Sequence, residues 1–213
     1  MKSHHITDLI KQGENQSLDF KFEISDSRKI ARTLVAFSNT DGGTLLIGVK
    51  DNGVIAGIRS EEEKYMVETA ALMYTRPMVR YATKEWQVEG KTVLEVVIAK
   101  GDERPYFALE PSGRWMAYIR VKDQNLLANR VLLKVWEKAP EEDGVVIHYT
   151  EKERLFLDYL DRNGTVTLAE LCEVAGISRH KAEGLLVDFI RMKIIEMVFT
   201  EKEVYYRFRE TVQ

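Results

Sequence analysis

The sequence predicts an α+β chain in two parts: a larger mixed-sheet domain over residues 1–139, a linker over 140–146, and a small helical domain with a terminal β-hairpin over 147–213. Three observations predict it. Strand-like and helix-like hydrophobic patterns interleave irregularly up to Glu137, which suits an α+β arrangement better than a regular doubly wound sheet. Three helical stripes then follow one another closely after residue 150. Between the two lies Lys138–Gly144 (KAPEEDG), where Pro140, three acids and a glycine interrupt any periodicity. Composition agrees: 45% of the 213 residues are hydrophobic and only 4 are Pro, which supports packed cores and excludes disordered and collagen-like classes.

In the first part, Ile6–Gln12 reads as a short helix and Ser17–Phe22 as an alternating strand. Ser27–Asn39 carries Ile30, Leu34 and Phe37 at i, i+4, i+7, the stripe of an amphipathic helix. Gly43–Lys50 is nearly continuous in apolar residues, as a strand buried on both faces would be. Asp51-Asn52-Gly53 is a turn signal, so Val54–Ile58 is expected as the partner strand of a hairpin. Glu61–Tyr74 looks helical and stops before Pro77. Val79–Val88 and Thr92–Ala99 flank Glu89-Gly90-Lys91 as a second hairpin; Met116–Val121 adds a strand, and Gln124–Glu137 reads as the last helix.

In the second part, Glu151–Leu160 places Leu155, Phe156, Tyr159 and Leu160 on one face, and Asn163-Gly164 ends it. Thr167 can cap a short helix bearing Leu168, Leu171 and Val174. The turn Ala175-Gly176-Ile177-Ser178 leads to a third helix burying Ala182, Leu185, Leu186, Phe189 and Ile190. Ile194–Thr200 and Val204–Phe208 close the chain as a hairpin. Three helices, a short Gly-containing turn before the third, and a hairpin predict a winged helix-turn-helix domain.

Several classes are excluded. One cysteine, Cys172, forbids an intramolecular disulfide and any CxxC zinc site, and its apolar helical setting predicts a buried, inert thiol. No apolar run approaches the roughly 20 residues that span a bilayer, and Met1–Lys11 lacks the apolar region of a secretory signal, so a cytoplasmic protein without membrane partners is expected. His4 and His5 fall in what reads as a flexible terminus. Charge is uneven: residues 1–140 carry 21 Lys+Arg against 19 Asp+Glu, and residues 141–213 carry 10 against 15. The bulk field favours phosphate contacts in the first part.

Two dense segments carry chemistry. In Gly13–Phe22 (GENQSLDFKF), Glu14 lies five residues before Asp19, and Lys21 shares a strand face with Asp19. Carboxylates beside a lysine can hold Mg²⁺ or Mn²⁺ on a phosphate substrate, and they equally make a strand-edge ion pair. In Ala36–Ile58, the loop Asn39, Thr40, Asp41, Gly42 and Gly43 joins helix to strand. Its amides could cradle an anion, and the same residues suit a helix cap with a tight turn. No GxxxxGK[ST] or GxGxxG occurs, so no ATP is expected as a cofactor. Arg104-Pro105-Tyr106-Phe107 and Tyr118-Ile119-Arg120-Val121-Lys122 set cations beside aromatics, a mixture suited to phosphate contact and base stacking. On the third helix of the second part, Arg179 could address guanine while Ser178 and Lys181 hold phosphate, with His180 between them; Glu183 and Asp188 on that helix oppose the approach.

The run Glu14…Leu18-Asp19-Phe20-Lys21, then AFSNTDGGTLLIGVKDNGVIAGI, then Arg104-Pro105-Tyr106 and Tyr118-Ile119-Arg120-Val121 closely resembles the Schlafen/AlbA-type DNA-binding domain family, over roughly residues 10–130. In bacteria that domain often precedes a winged helix in chains described as transcriptional regulators. The resemblance implies a DNA-binding regulator acting as a homodimer, with DNA favoured over RNA. It also implies an alternative, because animal Schlafen proteins use this domain as a metal-dependent endoribonuclease with three acids. Those acids fall on Glu14, Asp19 and Asp51, with Lys21 assisting; Asp replaces Glu at position 19, one methylene shorter. A third alternative is a non-catalytic module in which the acidic winged helix docks a protein partner. The expected nucleic-acid contacts are Arg104, Arg120, Lys122, Ser178, Arg179, His180 and Lys181.

Overall fold

The structure is a computed structural model that describes residues 4–138 and 149–210. It divides into two compact units, Met1–Ala128 and Asn129–Gln213. No helix among the described residues is long and apolar enough to cross a membrane.

The first unit runs α1 (His4–Gln12), β1 (Leu18–Lys21), α2 (Ser27–Asn39), β2 (Gly43–Ile47), α3 (Glu62–Tyr74), β3 (Thr75–Arg76), β4 (Tyr81–Val88), β5 (Lys91–Ile98), β6 (Phe107–Leu109), β7 (Trp115–Met116), β8 (Tyr118–Val121) and β9 (Gln124–Leu127). The main sheet has the order β1-β2-β5-β4. β1 and β2 are parallel, with Leu18 opposite Thr44 and Phe20 opposite Leu46, so α2 serves as the crossover that parallel strands require. β5 pairs antiparallel with both β2 and β4. Glu89 and Gly90, both at positive φ, turn the β4–β5 hairpin.

β2 is buried on both faces, as its composition predicts. Leu45 and Ile47 join the core under α2 and α3, while Leu46 faces the other way into a second cluster with Ile6, Phe20 and Val93. Fully burying a side chain such as Phe20 or Leu46 stabilises the fold by about 2 kcal/mol. α2 starts where Asp26 Oδ1 accepts from the Arg28 amide at 2.9 Å, and it buries most of its last two turns. Two smaller sheets, β3-β6-β7 and β8-β9, complete the unit.

The second unit runs α4 (Arg130–Glu137), α5 (Glu151–Asn163), β10 (Val166–Thr167), α6 (Leu168–Val174), α7 (Arg179–Arg191), β11 (Ile195–Phe199) and β12 (Val204–Phe208), with sheet order β10-β12-β11. Thr150 with Glu153, and Thr167 with Glu170, form capping boxes that start α5 and α6. Gly164, at φ +77°, ends α5. Phe156 meets Phe189 edge-on at 5.3 Å in a core shared with Leu160, Leu171, Leu186 and Tyr206.

Three sequence expectations change. Val54–Ile58 forms a single bridge, Val49 with Ile55, rather than a strand. Gly48 at φ +93° bends the chain after β2, and its close approach to Gly57 leaves no straight ladder to extend. The helix expected over Gln124–Glu137 begins only at Arg130. Residues Gln124–Leu127 pair with β8, and Asn129 caps the helix, its Oδ1 accepting from the Leu132 amide at 2.8 Å. The division between units falls at Ala128, earlier than the expected 1–139 domain ends, because α4 packs on α7. The expected linker 140–146 lies outside the described residues.

Candidate functional site

The acidic motif is built by the entry into β1. Asp19 is buried: its Oδ1 accepts from Arg120 Nη2 at 3.0 Å, and its Oδ2, which receives no hydrogen bond, lies 2.8 Å from Lys21 Nζ as an ion pair. Glu14 folds back over the strand, its Oε1 accepting from the Phe20 amide at 2.9 Å. Burial pushes the Glu14 carboxyl above its ordinary value; the Phe20 amide opposes this, and neighbouring Asp19 adds to it. Asp51 sits in the exposed turn after β2, where Gly53 N donates to Lys50 O at 2.7 Å, beside Lys11 and Gln12 of α1.

Glu14 and Asp19 are therefore neighbours, but Asp51 does not join them. Among the described residues, no three His, Cys, Asp or Glu side chains come together in a group able to hold a metal ion. A guanidinium and an ammonium already neutralise Asp19, where a divalent cation would have to bind. The donor set does not fit Mg²⁺ or Mn²⁺.

Arg120 is corrected from phosphate ligand to core residue. Its side chain is 1% exposed. It donates to Asn15 O at 3.2 Å, Leu18 O at 3.2 Å, Asp19 Oδ1 at 3.0 Å and Asn125 Oδ1 at 3.0 Å, and lies over the Phe37 ring at 5.2 Å. Every direction in which it could reach a phosphate is taken. Arg104, by contrast, is exposed, as is Lys122, which turns the β8–β9 hairpin at φ +54°. Lys122 N donates to Gln16 Oε1 at 2.8 Å, which fixes that turn on the entry to β1.

The loop Asn39–Gly43 is a structural joint. Asn39 is buried at the end of α2; its Nδ2 donates to Tyr106 O and Tyr118 O, both at 2.9 Å, and its Oδ1 accepts from Tyr106 N at 2.8 Å. Thr40 Oγ1 returns to Ala36 O at 2.7 Å. Gly42 has φ +77°, and a Cβ there would lie 2.7 Å from Ile98 O; one at Gly43 would strike the Phe37 ring. Asp41 reaches outward to Lys100 Nζ at 3.2 Å. The cap-and-turn reading of this segment accounts for its residues.

In the second unit, Ser178 precedes α7, and Arg179, His180 and Lys181 are exposed on its first turn. Glu183, one position past Ala182 on the buried stripe, is 1% exposed; Lys134 Nζ of α4 reaches its Oε2 at 2.9 Å. Burial pushes the Glu183 carboxyl up, but Lys134, with help from Arg130 and Arg179, brings it below its usual range. Asp188 pairs with Lys138 at 3.2 Å. Sequence reasoning missed Lys134, and the signal was there: an acid inside an apolar helical stripe requires a cation from a neighbouring element. It also missed His5, whose Nε2 lies 2.7 Å from Glu95 Oε1 and whose ring lies 5.0 Å from Trp86, so this part of the terminus is tied to the sheet. Cys172 is half-buried rather than fully buried.

The segment that carries Glu14, Asp19, the Asn39–Gly43 joint and Arg120 matches the family model described as Schlafen, AlbA_2 over residues 14–129, more than half of the chain. The chain belongs to the Schlafen, AlbA_2 family. Among solved structures, this family member is similar to the DIP2311 protein of Corynebacterium diphtheriae, at 22% identity and TM-score 0.43, covering 55% of this chain and 25% of that one. It is also similar to the N-terminal domain of a RecG-related protein of Nitrosomonas europaea, at 24% identity and TM-score 0.42, covering 61% of this chain and 97% of that one. The chain thus spans a quarter of the Corynebacterium protein and nearly all of the Nitrosomonas domain. No curated protein matches it.

Proposed function

We propose that the chain is a DNA-binding regulator whose second unit is a winged helix-turn-helix, with α7 as the recognition helix. The observation that carries this reading is the first turn of α7, where Arg179, His180 and Lys181 stand exposed while Glu183 is buried against Lys134 and Asp188 pairs with Lys138 at the surface. The order α5, β10, α6, α7, β11, β12, with β10 on the terminal hairpin, supports it. The acidic balance of this part had opposed groove entry. Glu183 and Asp188 are spoken for by Lys134 and Lys138, so they weaken the field at the first turn less than a count of charges implies. Family membership supports nucleic acid as the partner, and exposed Arg104 and Lys122 are the first unit's candidates for additional phosphate contact.

Fluorescence anisotropy of the full chain on random duplex DNA at rising salt tests the proposal. Affinity should fall steeply with salt, and the double variant Arg179→Ala/Lys181→Ala should flatten the log–log slope by about two. Undetectable binding at low salt, or a slope that the double variant leaves unchanged, rejects it.

A further inference from the structure

We propose that the second unit holds a binding site for a small aromatic acid bearing one hydrogen-bond donor, in a cavity of about 500 Å³ between α4, α6, α7 and β12. The size falls within the range of small-molecule sites. The cavity's chemistry narrows the occupant. Val131, Leu168 and Val204 give it an apolar wall that suits a compact ring. Glu183 lies in the lining with its side chain 1% exposed; Lys134 takes Oε2, and Oε1 receives no hydrogen bond, Arg179 Nε standing 3.5 Å away as an ion pair only. A buried carboxylate oxygen left without a donor is costly, and a hydroxyl or amino group on a ligand would satisfy it.

Arg130 and Arg179 supply the opposite half of the recognition. Both line the cavity, and both are exposed side chains able to swing onto an anion at its mouth. Tyr206, buried on the β12 side with its hydroxyl beside Asn129, closes the floor of the cavity. One donor, one carboxylate and a flat apolar body together describe an aromatic hydroxy or amino acid.

Arg179 belongs to both this cavity and the exposed first turn of α7. An occupant that draws Arg179 inward should weaken duplex binding; this coupling, unlike the site itself, rests on the DNA-binding reading.

Isothermal titration calorimetry of the full chain with 4-hydroxybenzoate, in the absence of nucleic acid, tests the site. Benzoate, which lacks the donor, and phenol, which lacks the carboxylate, should each bind about tenfold more weakly or worse. Ala169→Trp, at an exposed lining position on α6, should abolish binding while leaving the thermal midpoint in place. Arg130→Ala/Arg179→Ala should erase the preference for 4-hydroxybenzoate over phenol. Absence of binding by the unaltered chain at millimolar probe, or binding that Ala169→Trp leaves unchanged, overturns the site. Loss of only the effect on duplex affinity overturns the coupling and leaves the site standing.

Discussion

Replacing Arg120 by Met separates a core role from a phosphate-binding one. The guanidinium makes four hydrogen bonds, to Asn15 O, Leu18 O, Asp19 Oδ1 and Asn125 Oδ1. Met retains the apolar stem over Phe37 but leaves buried Asp19 facing Lys21 alone, and leaves two carbonyls without that donor. Breaking one side of a buried ion pair costs about 3–5 kcal/mol. With a urea dependence of about 2 kcal/mol per M, the midpoint of the first unit should fall by about 2 M. Tryptophan fluorescence in a Trp136→Phe background reads this directly, because Trp86 and Trp115 both lie in the first unit. Adding Asp19→Asn should restore part of the loss, since no charge is then stranded. A midpoint shift below about 0.5 M would refute the reasoning. So would a fall in duplex affinity without any fall in stability, which would return Arg120 to the nucleic-acid interface.

Three further substitutions probe the same architecture. Glu14→Gln should raise stability at about pH 7 and leave it unchanged at about pH 3. The folded state raises the Glu14 pKa, so ionising the native carboxyl erodes stability as pH climbs from its unfolded value through its folded one; urea melts at the two pH values check the sign. Gly42→Ala should cost about 2 kcal/mol or more, since φ +77° and an Ile98 carbonyl 2.7 Å from the new methyl act together; thermal denaturation measures it. Lys134→Met should destabilise the second unit by about 3 kcal/mol by leaving buried Glu183 with the 3.5 Å ion pair to Arg179 alone, a loss that Trp136 fluorescence reports in a Trp86→Phe/Trp115→Phe background and that Glu183→Gln in the same chain reduces.

Much of the fold is legible in the sequence because local patterns decide it. The i, i+4, i+7 stripe of Ile30, Leu34 and Phe37 yields α2 over the expected residues, and the unbroken apolar run yields a strand buried on both faces. Where partners are distant, the sequence falls silent. Nothing near Gln124 announces that β8 will pair with it, and the apolar spacing of Leu126 to Leu133 mimics a helix until Asn129 caps the real one. The candidate site divides in the same way. The exposed cations of α7 follow from helical phase alone. Arg120 reads as an amphipathic strand residue, yet the strand it occupies is covered, and only the fold brings Asp19 to it across a hundred residues of sequence.

The Asn39 side chain has a kinetic consequence. Its bonds reach Tyr106 and Tyr118, partners 67 and 79 residues further along the chain, so they close only after most of the first unit has found its place. Contacts made late contribute little to the speed of folding and chiefly slow its reversal. The joint thus sets how long the folded first unit persists rather than how fast it is reached, and a chain weakened there would fold on schedule but open sooner to proteases.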